Sequence, residues 1–105
     1  MEKPNLSYIE SMSGGDKDFE QKLIAIIKNE FPKEKEVYFA NIASGNFKDA
    51  ASNVHKLRHK ISILGLTKSY DIAVNYEDNL LGNSMEGKIE FEAILQNMTN
   101  FLETL

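Results

Sequence analysis

Apolar side chains recur along this chain at three- and four-residue intervals in successive stretches, and the strict alternation of a half-buried strand is poor throughout. "NLSYIESM" reads as a short helix ending at Ser13-Gly14-Gly15. Asp16 then stands where a carboxylate can accept from the free amides of a first helical turn. Phe19, Leu23, Ile26, Ile27 and Phe31 continue a helical stripe, and Pro32 predicts a kink or short break near Phe31. The pattern resumes through Val37, Phe39, Ile42 and Ala43 and stops at Gly45. Asn46 is the next cap, with Asp49 three residues on, and Phe47, Ala50, Val54, Leu57, Ile61 and Leu64 follow at helical spacing. Gly65 supplies a left-handed stop. Thr67 opens a further helix carrying Tyr70, Ala73, Val74, Glu77, Leu80 and Leu81, closed by Gly82. Ser84 begins the last, with Ile89, Phe91, Ile94, Leu95, Met98, Phe101 and Leu102. Four amphipathic helices with short connections predict an all-α fold, an antiparallel four-helix bundle preceded by a short N-terminal leader helix.

Length and composition narrow this picture without redirecting it. The 105 residues make one domain, 1–105, with a single modest core and no repeat, low-complexity tract or linker. With 42% hydrophobic and 27% charged residues the chain reads as globular. The absence of cysteine removes disulfides, thiolate metal sites and thiol nucleophiles together. No apolar run approaches the roughly 18 residues of a membrane span. The start "MEKPNLSYIE" lacks a secretory apolar stretch, so the expectation is a cytoplasmic chain with no membrane insertion. Net charge is −4, yet Lys48, Lys56, Arg58, Lys60 and Lys68 cluster in a segment whose one acid is Asp49. That positive patch on an acidic body suits one anionic partner site and is too small for a nucleic-acid groove.

The patch contains "NVHKLRHKISILGL", residues 53 to 66, with both histidines of the chain. At about 100° per residue, and with Val54 at zero, the apolar stripe of this helix centres near 330°. His55 falls at about 100° and His59 at about 140°, off the stripe and on its solvent flank. Ala51 and Ser52 lie one turn before His55, and Ser62 and Ile63 lie beyond His59. This is the composition of a shallow docking patch.

Several chemistries compete for such a face. His55 and His59 have the spacing of a helical metal pair, but no cysteine or further histidine completes a site and three neighbouring cations oppose one, so no metal is expected. A serine nucleophile can be assembled on paper from Ser52 or Ser62, yet nothing marks a nucleophile turn or oxyanion hole, and "SGGDKD" is a cap rather than a phosphate loop. The remaining chemistry uses the imidazole itself as a nucleophile toward phosphorus. A neutral ring carries a free lone pair near neutral pH, and adjacent cations both favour that neutral form and can hold the phosphoryl oxygens afterwards.

"VHKLRHKISILGL" resembles the signature of histidine-containing phosphotransfer (HPt) domains: a histidine, an apolar residue two on, a basic residue three on, then Leu-Gly nine and ten on. Here these are His55, Leu57, Arg58, Leu64 and Gly65. The likeness extends to the run-in "SGNFKDAASNVHKL" and to the helical tail, although only the histidine segment is specific. It departs at one position, where His59 stands in place of the family's usual glycine; that ring could crowd the approach, bond the phosphate or match a particular partner. The resemblance implies that His55 accepts a phosphoryl group from an aspartyl phosphate on a response-regulator receiver domain, such as that of a hybrid sensor kinase, and passes it to another. It further implies attack by Nε2 of His55, phosphate stabilisation by Arg58 with Lys56 or Lys60, and docking through Ala51, Ser52, Ser62 and Ile63; His59, which the family pattern does not supply, is expected to join the phosphate-stabilising residues. No cofactor and no autonomous kinase activity are implied as well; nothing in the pattern requires a dimer, so a monomer is expected. A non-phosphorylatable module that binds a receiver through the same face is the alternative.

Overall fold

The computed structural model describes residues 2–105 and, among them, five helices and no strand: α1 (Ser7–Ser13), α2 (Lys17–Ala43), α3 (Phe47–Ile63), α4 (Thr67–Leu81) and α5 (Lys88–Glu103). The Asp16 carboxylate accepts from Phe19 N at 3.1 Å and starts α2 as expected. Asn46 precedes α3 as the sequence indicates, but its side chain makes no capping bond.

α2 runs unbroken through Pro32, so the short break that the sequence allows there does not occur. Proline has no N–H, so the Lys28 carbonyl loses its helical partner. Packing carries the helix across the gap, because Phe31 and Tyr38 on either side are 1% and 0% exposed. The buried face of α2 also differs from the predicted stripe. Glu20, Ile24, Ile27, Phe31 and Tyr38 fall within about 60° of one another on the helix, whereas Phe19, Ile26 and Val37 sit together on an opposing flank and are exposed. Counting apolar residues without knowing which neighbours they meet joined two faces into one.

α3 packs on both α2 and α4, which gives it the widest buried arc in the molecule. Ala50, Val54, Leu57, Ile61 and Leu64 are wholly buried, as the wheel required, and Ala51 and Lys60 are buried at the two margins of that stripe. The turn into α4 needs Gly65. Its φ is +77°, and a Cβ there would come within 2.5 Å of the Asn5 amide, whose own backbone N–H donates to Leu64 O at 2.9 Å.

α4 has no cap of its own; Leu66 stands at the N-cap. Glu2 supplies one from the N-terminal segment, its carboxylate accepting from Lys68 N at 2.9 Å and Ser69 N at 2.7 Å. Partial burial pushes the Glu2 pKa up, but these backbone donors outweigh it and hold the carboxyl below its ordinary value. The cap therefore stabilises the fold above the ordinary glutamate range, and its contribution disappears as pH falls through the lowered folded pKa. A Glu2→Ala variant is expected to lose about 1 kcal/mol in urea denaturation at pH 7 and to converge on the wild type in acid.

α5 begins at Lys88, four residues later than Ser84. Gly87 adopts φ +95° and Asn83 φ +65°, while Asn79 Nδ2 donates to Glu86 O at 2.8 Å, so residues 82–87 form a hydrogen-bonded loop instead of a first turn. At the α2–α4–α5 junction Tyr38, Tyr76 and Phe91 pack ring on ring, and the Tyr38 hydroxyl donates to Glu92 Oε2 at 2.9 Å while lying 2.7 Å from the Tyr76 hydroxyl. Among the described residues no helix is long and apolar enough to cross a membrane.

Candidate functional site

The solvent flank of α3 and the adjoining edge of α4 carry the site. His55 is exposed, with 48% of its side chain accessible, and its Nδ1 lies 3.2 Å from Glu77 Oε2. A carboxylate can only accept, so in the neutral ring this contact places the proton on Nδ1 and leaves Nε2 as the lone-pair nitrogen. Glu77 is largely covered, with 16% of its side chain accessible, and its other oxygen lies 3.4 Å from Arg58 Nη1. The guanidinium also lies over the Tyr70 ring, 5.7 Å from its centre. Arg58 Nε has no partner among the described residues. One carboxylate from α4 thus faces both the imidazole and the cation predicted to serve it.

Glu77 is the residue that reading for a site overlooked. It stood in the α4 stripe among Tyr70, Ala73 and Val74, and a carboxylate in an apolar stripe is a sign that something waits for it. Its partner could not be read from α4 alone. The register of α4 against α3 brings residues 22 positions apart into contact.

The other predicted residues divide. Ser52, Lys56, His59 and Ser62 are exposed on the same helix, and Ile63 is half-buried. His59 stands edge-on to His55, with ring centres 5.3 Å apart. Beyond it opens a cleft of about 270 Å³ lined by Tyr8, His59, Ser62, Ile63 and Tyr70. Two predicted residues fall away. Ala51 is 2% exposed, because its position on the margin next to α4 is covered, so it presents nothing to a docking partner. Lys60 turns to the other side of α3, where its ammonium lies 3.0 Å from both Glu30 Oε1 and Glu34 Oε1 of α2. It cannot hold a phosphate on His55 from there.

Lys60 is instead a clamp between α2 and α3. Burial pulls its pKa down, but the two carboxylates more than compensate and raise it above the ordinary lysine value. Its contribution to stability is complete at neutral pH and is lost only as pH climbs through that raised value. Removing the ammonium leaves two partly covered carboxylates facing each other. A Lys60→Ala chain is expected to lose about 2 kcal/mol in urea denaturation, with the His55–Glu77 contact on the other side of α3 unchanged.

Among the described residues no cluster of three or more metal-ligating side chains exists; Glu77 meets His55 and not His59. The chain matches no protein-family model, no curated protein and no solved structure.

Proposed function

We propose that this protein is an HPt-like phosphorelay carrier in which His55 takes a phosphoryl group from a receiver-domain aspartate and hands it to another. One observation carries the reading: an exposed imidazole whose Nδ1 is engaged by a covered carboxylate, so that Nε2 is the free nucleophile. In the forward step the aspartyl acyl-phosphate O–P bond breaks, its electron pair stays on the carboxylate, and an N–P bond forms at Nε2. The Nδ1 proton stays in place, and Glu77 compensates the positive charge that the ring acquires. Arg58 and Lys56 supply nearby positive charge for the incoming dianion. The acceptor adds nothing else to the chemistry, which makes the protein a carrier and not an enzyme.

The same reading assigns the five helices to an antiparallel four-helix bundle with α1 as leader, working as a cytoplasmic monomer. Ser52, Ser62 and Ile63 form the docking surface beside His55, and the small residues there allow a flat approach. Incubation with phosphorylated receiver domains tests the proposal. Label that moves to this chain and proves acid-labile and base-stable supports it. Binding of a receiver with no label transferred, across a panel, favours the non-phosphorylatable module instead.

A further inference from the structure

We infer that His59 is the direct hydrogen-bond donor to the phosphoryl group on His55, the role that the lysines of the segment do not fill. This rests on His55 being the acceptor and concerns what holds the group once it has arrived.

Lys60 is committed to Glu30 and Glu34 on the far side of the helix. Arg58 is anchored by Glu77 and lies on the face of Tyr70, so its guanidinium is directed toward α4 and not along the exposed face. Lys56 follows His55 immediately, and adjacent helical residues point about 100° apart. His59 alone is one turn on, on the same face, exposed, and in edge contact with the acceptor ring at 5.3 Å between centres. Its own nitrogens make no hydrogen bond among the described residues, so they are unengaged.

An imidazole in either tautomer has one N–H to give, and a phosphoryl dianion offers three acceptor oxygens. Donation to a charged acceptor is the stronger class of hydrogen bond. Ser62 and Tyr70 wall the cleft behind His59, which leaves that ring space to turn its N–H toward the group. The consequence is a longer-lived N–P bond. Transfer through a metaphosphate-like transition state spreads and lowers the charge on the oxygens, so a donor to those oxygens favours the ground state.

Phosphoramidate tests this without any receiver. Nε2 of His55 attacks phosphorus, the donor's N–P bond breaks, and ammonia departs with the electron pair after taking up a proton from water. The wild type, His59→Ala and His59→Gln are charged in this way, and the hydrolysis half-life and ³¹P resonance of phospho-His55 are followed. The half-life is expected to fall about tenfold in His59→Ala, with a shifted resonance, and to stay within about threefold of wild type in His59→Gln, which keeps an N–H donor. Thermal melts separate this from misfolding, since an exposed ring contributes little to stability. Equal half-lives in wild type and His59→Ala overturn the inference while leaving His55 as acceptor. Failure of wild-type His55 to take up phosphate at all overturns the proposed function, and this inference with it.

Discussion

A His55→Gln chain is expected to take up no acid-labile phosphate from a charged receiver, a loss of at least about a thousandfold against wild type. Glutamine preserves size and polarity but has no lone-pair nitrogen able to form a stable N–P bond. The ring it replaces is half exposed and belongs to no core contact, so the variant should fold with a stability change of about 0.5 kcal/mol or less. His59 does not rescue it. It lies next door, but the orienting carboxylate faces His55, and His59 has no such partner among the described residues. Full label on His55→Gln would move the acceptor elsewhere and remove the assignment.

The second large effect is at Glu77. A Glu77→Ala chain is expected to transfer about 10- to 100-fold more slowly, the usual consequence of removing the group that orients a reactive imidazole. Two things are lost together: the acceptor that fixes the Nδ1 proton and the negative charge that would offset the ring's positive charge in the proposed attack. Nitrogen-15 shifts of His55 should report the change directly, moving from one dominant tautomer to a mixture. Affinity for the receiver should change little, because Glu77 is covered and touches no proposed docking residue. Unchanged transfer with an unchanged tautomer would show that the His55–Glu77 contact is incidental.

What was legible in the sequence follows from where each cause lies. The Asp16 cap and the positive φ of Gly65 are local, so cap and stop could be read from the sequence, whereas the approach of Asn5 to Gly65 could not. The α3 stripe was legible because Ala50, Val54, Leu57, Ile61 and Leu64 all fall inside its wide buried arc, whereas α2 also carries Phe19, Ile26 and Val37 on an exposed flank. A break at Pro32 does not occur, although local chemistry argues for one, because Phe31 and Tyr38 are fixed by partners distant in sequence. The start of α5 depended on the loop bond from Asn79 to Glu86, which no propensity announces.

The site divides along the same line. The exposure of His55 followed from its angle on α3 alone. The loss of Lys60 to α2 and the arrival of Glu77 from α4 both depend on how helices pair, and the charge pattern of one helix carries no record of that. A run of cations beside a histidine therefore overstated the positive field at His55, since Arg58 and Lys60 are both met by acids.

The most direct measurement is to charge the wild-type chain with a phosphorylated receiver and map the modified residue by tandem mass spectrometry under neutral to alkaline conditions. The account predicts a single phosphoryl group on His55, lost in acid and retained in base. A group on His59, on a serine or on a carboxylate, or a chain left unlabelled by every receiver tried, would contradict it.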